Sequence, residues 1–127
     1  MEMKLEVIML PVKDVETSIR FYKDTLGFVL DHDVKPGNGM RIVQLTPVGS
    51  ACSIVFGHGM GELAKPGSIK NTHLVVRDIK LARSTLAGNG LVISEVQDMG
   101  GVKYAYFADP DGNSWALQEI GVRNWPA

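Results

Sequence analysis

The feature of this sequence that most restricts its fold is an internal repeat that spans nearly the whole chain. The tetrapeptide VKDV begins at residue 12 and VRDI begins at residue 76, a separation of 64. Further along each half, Gly27 and Gly90 lie 63 positions apart, as do Gly49 and Gly112. A single deletion in the second half accounts for the difference. A repeat of this length indicates one supersecondary unit used twice, because neither copy can bury its apolar face alone.

Each half predicts the same order of elements, β-α-β-β-β. An apolar strand leads into Asp14 in one half and Asp78 in the other, where a carboxylate can accept hydrogen bonds from the first free amides of a helix. Apolar residues then recur at helical spacing, and a glycine suited to the left-handed position ends each helix. The stripes predicted to face a sheet are Val15, Ile19, Tyr22 and Leu26 in the first half, and Ile79, Ala82 and Leu86 in the second.

Size and composition indicate a single soluble domain over residues 1–127. The hydrophobic fraction of 45% is enough to fill a core, and no apolar run approaches the roughly 20 residues that span a bilayer. We place module one at about 1–57, a Gly-rich linker at about 58–69 and module two at about 70–121. The tail at 122–127 contains Trp125, which is expected to pack against the sheet edge or the cavity of a partner.

Charge and cysteine content exclude several classes of function. The chain has 13 basic and 14 acidic residues, a formal charge of −1, so it lacks the basic patch of a nucleic-acid-binding protein. Cys52 is the only cysteine, which rules out an intramolecular disulfide and a Cys-rich metal site. The opening segment MEMKLEVIML lacks the pattern of a signal peptide, so a cytoplasmic location without membrane association is expected. A small molecule is the expected partner.

Two stretches resemble a known superfamily. LPVKDVETSIRFYKDTLGF near the start and FADPDGN near the end are similar to the signature segments of the glyoxalase, bleomycin-resistance and extradiol-dioxygenase group, the vicinal oxygen chelate superfamily. The resemblance covers essentially the whole chain. It implies an α+β fold in which two tandem βαβββ modules form a U-shaped mixed sheet around a cavity, commonly in a homodimer.

The resemblance also bears on metal binding. Enzymes of the group hold a divalent ion at four related strand positions, which here correspond to Val7, Ser53, Asn71 and Ala116. Val7 and Ala116 have no atom that can coordinate a metal, and Ser53 and Asn71 offer only neutral oxygens. The His and carboxylate ligands that such a site needs are therefore missing. We therefore expect no metal and no other cofactor.

Side-chain alternation along the strands identifies the cavity face. Met9 is expected to join Val7, Val55 to join Ser53, His73 to join Asn71, and Gln118 to join Ala116, with Tyr104 and Tyr106 on a neighbouring strand. His73 is the only catalytic candidate, and no carboxylate on its face is evident to orient it as a base. The predicted ligand-binding residues are Val7, Met9, Ser53, Val55, Asn71, His73, Tyr104, Tyr106, Ala116 and Gln118. Val43 or Leu45 is a further candidate for the same face.

Residues outside this set have simpler interpretations. Glu119 is out of phase with the cavity face, so it should face the helix or solvent. Cys52 is interpreted as a small buried apolar residue, and His32 and His58 as exposed. The Gly-containing segments 31–41 and 97–103 are expected to be loops at the rim of the cavity.

A mostly apolar face with a few neutral polar groups is typical of a small-molecule pocket. The sequence therefore favours a metal-free binding protein, similar in role to the bleomycin-resistance branch, in which the protein sequesters a drug without breaking a bond. One alternative is a lyase, isomerase or dioxygenase-type enzyme that uses an atypical metal site near His73 and Gln118, or His73 as a general base. A structural or regulatory dimer with a vestigial cavity is the other.

Overall fold

The computed structural model describes residues 1–61 and 63–121. The first half contains strand β1 (Val7–Met9), helix α1 (Val15–Ile19) continued by a π-helical turn (Arg20–Thr25), and strands β2 (Val29–Gly37), β3 (Met40–Thr46) and β4 (Ser53–His58). The second half contains β5 (Thr72–Val75), α2 (Ile79–Gly88), β6 (Gln97–Met99), β7 (Val102–Ala108) and β8 (Ser114–Glu119). The α+β class and the two tandem βαβββ modules are confirmed.

Each module folds its strands into a four-stranded mixed sheet of the same topology. The order is β1-β4-β3-β2 in the first sheet and β5-β8-β7-β6 in the second. In both, the first strand of the module runs parallel to the last, and the other pairs are antiparallel. The helix between the first two strands provides the crossover that a parallel pair requires.

Both helices begin where the sequence predicts. The Asp14 carboxylate accepts a hydrogen bond from the Thr17 amide at 2.9 Å, and the Asp78 carboxylate accepts one from the Leu81 amide at 3.0 Å. The predicted stripes face the core: Tyr22 and Ile79 are fully buried, and their companions pack around them. Each Asp therefore fixes the start of a helix whose apolar side is already oriented.

The one-residue difference between the halves has a structural cause in the first helix. After Ile19 the helix widens into the π-helical turn, where the Leu26 amide bonds to the Phe21 carbonyl five residues back at 3.0 Å. Helix α2 keeps the ordinary spacing, with the Asn89 amide bonding to the Thr85 carbonyl. A π turn accommodates one additional residue in a helix, so the first half holds its extra residue there.

The expectation of rim loops at 31–41 and 97–103 is wrong, because both segments belong to β-hairpins. Strands β2 and β3 pair up to Gly37 and Met40, and the residues between them, Asn38 and Gly39, both have positive φ. The hairpin of β6 and β7 turns in the same way through two glycines. A two-residue turn in which both residues have positive φ matches the right-handed twist of the paired strands. The Asn-Gly dipeptide is the sequence signal that could have predicted the first hairpin.

The two modules meet through the sides of their sheets that carry the helices. Ile54 and Phe56 of the first sheet and Trp115 and Leu117 of the second all belong to one buried cluster. Among the described residues the two sheets are separate, with no strand of one hydrogen-bonded to a strand of the other. Since each sheet turns one face toward this shared core, the opposite faces point away from each other. The expected U-shaped sheet is therefore not continuous within a single chain.

A buried polar network joins the modules at the centre of this core. The Tyr22 hydroxyl donates to the Asp109 carboxylate at 2.8 Å and accepts from the Trp115 indole N–H at 3.0 Å. The Asn113 amide group donates to the same carboxylate at 2.8 Å and to the Pro11 carbonyl at 2.9 Å. Side chains of module two thus hold the first helix of module one and the segment that follows its first strand.

Candidate ligand-binding site

The outer face of the second sheet carries a cluster of aromatic and polar side chains. Strand pairing places His73 and Tyr106 on either side of Ala116, and Tyr104 opposite Gln118. The two tyrosine rings are stacked, with centroids 6.1 Å apart and planes inclined by 6°, and the His73 ring meets Tyr104 edge-on at 5.9 Å. The Gln118 amide donates to the Tyr104 hydroxyl at 3.3 Å. The register therefore brings together five of the predicted site residues.

His73 is held by backbone rather than by an acid. Its Nδ1 lies 2.6 Å from the Asn71 carbonyl oxygen, an acceptor that requires a proton on Nδ1 and leaves Nε2 as the hydrogen-bond acceptor of the ring. Asn71 itself precedes β5 and has a φ of +60°. Strand alternation does not extend to a left-handed residue, so Asn71 contributes its carbonyl to the site, and the prediction that it continues the strand face is wrong.

The outer face of the first sheet carries a chain of polar groups. Val7 is opposite Ser53 and Met9 is opposite Val55, as alternation predicts. The Gln44 amide lies 3.2 Å from the Ser53 hydroxyl, which lies 2.6 Å from the Thr46 hydroxyl. The Thr46 hydroxyl in turn donates to the Asp31 carboxylate. Hydrogen bonds therefore run in one direction along this face, from the Gln44 amide to a carboxylate.

Three members of this chain, Gln44, Thr46 and Asp31, were missed from the sequence. Val43 and Leu45 were further candidates for the cavity face, but both are fully buried in the core, which places the residues between and after them on the outer face. Asp31 sits at an irregularity in the pairing of β2 with β3, between Leu30 and His32. An inserted residue interrupts strand alternation, so pattern alone could not assign its face.

Glu119, His32 and His58 lie where the sequence predicts, whereas Cys52, which was expected to be buried, is only half-buried. The Glu119 carboxylate accepts from the Ile79 amide at 2.9 Å, on the helix side of the sheet. His32 and His58 are exposed. Cys52 is half-buried, and burial raises the pKa of its thiol, with a further contribution from Glu6. A raised pKa keeps the thiol protonated and unreactive. The tail containing Trp125 lies outside the described residues.

Comparison with known proteins places this geometry in a family. The glyoxalase/bleomycin resistance protein/dioxygenase superfamily model matches residues 4–117. The chain belongs to this superfamily. A glyoxalase/bleomycin resistance protein/dioxygenase superfamily member from Sphaerobacter thermophilus DSM 20745 is 31% identical, with 93% of this chain and 98% of that chain covered and a TM-score of 0.79. The resemblance read from the two signature segments is thereby confirmed.

Two structures from Streptomyces sp. CB03234 are also similar to this superfamily member. TnmS3, an antibiotic binding protein, is 28% identical, with 94% of this chain and 98% of that chain covered and a TM-score of 0.83. A glyoxalase/bleomycin resistance protein is 30% identical, with 90% and 98% covered and a TM-score of 0.76. None of the curated proteins matches the chain significantly. This chain and both relatives therefore match over nearly their whole lengths.

The donor set on the two outer faces is unlike that of the metal enzymes in the superfamily. Within residues 1–61 and 63–121, no three His, Cys, Asp or Glu side chains come close enough to hold a metal ion. His73 and Asp31, the imidazole and carboxylate of the candidate site, lie on different sheets. In the same part of the chain, no helix is long and apolar enough to cross a membrane.

Proposed function

We propose that this protein binds a small organic molecule stoichiometrically, without a metal ion and without turnover. The observation that carries the proposal is the aromatic cluster on the second sheet, where Tyr104 and Tyr106 are stacked next to His73. Aromatic faces and edges attract further rings in stacked or edge-on geometry, at about 0.5–1.5 kcal/mol beyond the apolar area buried. A planar ring system in the ligand fits this surface.

Polar groups at the edge of the cluster would orient such a ligand. The Gln118 amide group offers a donor, and the His73 Nε2 of the neutral imidazole tautomer offers an acceptor within the same patch. A few placed polar groups in an otherwise apolar and aromatic site are typical of small-molecule recognition. The chemistry favours binding over catalysis, because the partner of His73 Nδ1 is the Asn71 carbonyl and no carboxylate among the described residues is hydrogen-bonded to the imidazole.

A second copy of the chain would complete the site. The outer faces of the two sheets point away from each other within one chain, and Met9 on the first of them is 39% exposed. In a homodimer, the Ser53 face of one protomer would meet the Tyr104 face of its partner and enclose the ligand. The chain of hydrogen bonds that ends at Asp31 would then lie across the cavity from the aromatic cluster and accept a donor from the ligand.

The superfamily relationship supports antibiotics as the ligand class. TnmS3 is described as an antibiotic binding protein, and we extend that role to this chain as a proposal. Sequestration requires only affinity, so a site with no activated nucleophile or metal is sufficient for it. Such a role suits the cytoplasmic location expected from the sequence.

A thermal-shift screen of planar aromatic antibiotics, followed by calorimetric titration, tests this function. We expect a hit to bind with one site per protomer and to be recovered chemically unchanged. Tyr106→Leu, which removes the stacked ring, should weaken binding about tenfold, while Tyr106→Phe, which keeps it, should bind as the native protein does. Equal affinities for the two variants, or conversion of the ligand, would contradict the proposal.

Dimerisation is tested separately by sedimentation. We expect a dimer in the native protein and a monomer in Met9→Arg, which places a charge on the apolar part of the outer face. The exposed Leu81 lies on helix α2, on the side of the sheet opposite the proposed dimer contact, so Leu81→Arg serves as the matched control. A native protein that sediments as a monomer at every concentration would refute the shared site.

One observation favours catalysis as a second candidate function. The Asn71 carbonyl fixes the tautomer in which His73 Nε2 can accept a proton, and an imidazole oriented in this way can serve as a general base. An enzyme of this kind would convert its ligand and lose turnover in His73→Gln with binding retained.

Elemental analysis after equilibration with Ni²⁺, Zn²⁺, Mn²⁺ and Fe²⁺ tests the absence of a metal. Stoichiometric retention that is lost in His73→Ala would refute the metal-free proposal.

A further inference from the structure

We propose that the protein has a second binding site, for a small uncharged aromatic molecule, in a cleft between the modules. The cleft, which we call the α2 cleft, has a volume of about 320 Å³ and lies between α2 and the turn that joins β3 to β4. Ligand sites commonly occupy about 300–1,000 Å³. Its lining includes Ala82 and Leu86 of the helix and Val48 of the turn.

The α2 cleft is separate from the site proposed above. It is lined by Leu74 and Leu117, which belong to the core sides of β5 and β8, whereas His73 and Ala116 on the same strands face outward. Since successive residues of a strand point to opposite faces, the second sheet lies between the two sites. A ligand beside Leu74 and Leu117 therefore lies on the opposite side of the sheet from one beside His73.

The internal repeat gives the α2 cleft a counterpart, which we call the α1 cleft. It has a volume of about 230 Å³ and is lined by Gly90, Leu91 and Pro110, which occupy the repeat positions of Gly27, Phe28 and Pro47 in the α2 cleft. The two clefts are therefore copies of one feature, and they differ in their side chains and in the π-helical turn, whose Phe21 and Thr25 line the α1 cleft.

Two side-chain differences account for the larger volume of the α2 cleft. In the α1 half, Tyr22 reaches Asp109 in the wall of the cleft and packs on Trp115. At the corresponding positions, the other half has Leu86 in place of Tyr22 and Ile54 in place of Trp115, since Ile54 pairs with Ile8 as Trp115 pairs with Thr72. Two large aromatic side chains are thus replaced by smaller ones. An internal aromatic network fills the space next to the α1 cleft, and smaller side chains leave the α2 cleft larger and able to accept an external molecule.

The lining determines the chemical class of the ligand. None of the described residues around the α2 cleft is charged, so burying a charged ligand there would cost its desolvation without compensation. Leu86 lines the α2 cleft at the repeat position of Tyr22, so the ring that Tyr22 supplies in the other half is missing here. This suggests a compact aromatic molecule of about two fused rings as the ligand, since the volume is at the small end of the range for ligand sites. Naphthalene has this size and carries no polar group.

Naphthalene titrated into the protein with ¹³C-labelled Leu and Val methyl groups tests the proposal. We expect saturable shifts of the Leu74 and Leu86 methyl signals, with the Val55 signals on the outer face unchanged. This pattern also separates the α2 cleft from the proposed function, since a ligand on the outer faces would shift Val55. Shifts confined to Val55, or no saturation at any site, would overturn the proposal.

Two pairs of variants extend the test. Ala82→Phe fills the α2 cleft and should abolish the naphthalene shifts, while Ser84→Phe places the same ring on the exposed side of α2 and should leave them unchanged. Val48 and Val92 are exposed rim residues of the two clefts. Val48→Asp should weaken binding about tenfold because it places a charge beside the apolar cleft, whereas Val92→Asp should not.

These variants decide the question even if one of them fails to fold. Val48 is 81% exposed, so its replacement leaves the core intact and remains informative if Ala82→Phe is unstable. Native affinity in Val48→Asp, or in a folded Ala82→Phe, would show that naphthalene binds elsewhere.

Discussion

Removing one hydroxyl from the core, in Tyr22→Phe, should destabilise the protein severely while leaving its shape unchanged. The Tyr22 hydroxyl is the only atom lost, and it both donates to the buried Asp109 carboxylate at 2.8 Å and accepts from the Trp115 N–H at 3.0 Å. Burial and the adjacent Asp109 raise the pKa of Tyr22, so the hydroxyl is a donor at any working pH.

The magnitude follows from the two partners left behind. A hydrogen bond to a charged group contributes about 1.5–3 kcal/mol, and a buried donor left without a partner costs about 1–3 kcal/mol. The Asp109 carboxylate keeps its bonds from the Asn113 side chain and backbone, so its loss is partial. The expected decrease in the free energy of unfolding is about 2–4 kcal/mol.

Urea denaturation followed by circular dichroism measures this decrease, with the slope of the transition compared between variants. Tyr106→Phe is the matched control: its hydroxyl has no hydrogen-bond partner within the described part of the chain, and the expected change is within about 0.5 kcal/mol. If Tyr22→Phe loses no more stability than this control, the network contributes nothing net and the reasoning is refuted. Coupling between Tyr22→Phe and Asp109→Asn, measured in a double-mutant cycle, assigns the energy to this pair.

Three further predictions concern the helix cap, an ion pair and a glycine. Asp78→Ala should cost about 1 kcal/mol in urea denaturation, because it removes the α2 cap; an unchanged midpoint would refute this. The Arg41 guanidinium lowers the pKa of Asp33. At pH 7 the native protein should therefore have a higher free energy of unfolding than Asp33→Asn. This difference should disappear below about pH 3.9 as the carboxyl protonates; a difference independent of pH would contradict the pairing. A Cβ on Gly67 would lie 2.2 Å from a backbone oxygen of the β7–β8 turn, whereas Gly61, with a similar φ, faces open space. Gly67→Ala should therefore lose more than about 2 kcal/mol and Gly61→Ala about 1 kcal/mol in thermal denaturation; equal losses would refute the close approach.

Local chemistry explains the parts of the fold that could be predicted from the sequence. Asp14 and Asp78 cap their helices, and the stripes behind them face the core. Capping and periodicity act over a few residues, so they can be read without knowing the rest of the chain. Alternation likewise placed His73 and Gln118 on one face of the second sheet, because the strands there are regular.

Prediction failed where a local irregularity reset the pattern. The inserted Asp31 interrupts alternation on β2, and the left-handed Asn71 ends it before β5 begins. The missing residue of the second half was visible in the sequence as a shift in spacing, but its cause, the π turn of the first helix, depends on how that helix packs. Pattern analysis assumes a constant period, and each of these residues breaks it.

The sequence by itself determined the duplicated module, the order of its elements and the residues available to each sheet face. Only the tertiary structure decided how the two modules face each other. Contacts such as Tyr22 with Asp109 join residues far apart in the chain, and nothing local in either segment specifies the partner. Those contacts turn both helix sides inward and both candidate faces outward, and this packing is the reason for our proposal that a second copy of the chain completes the site.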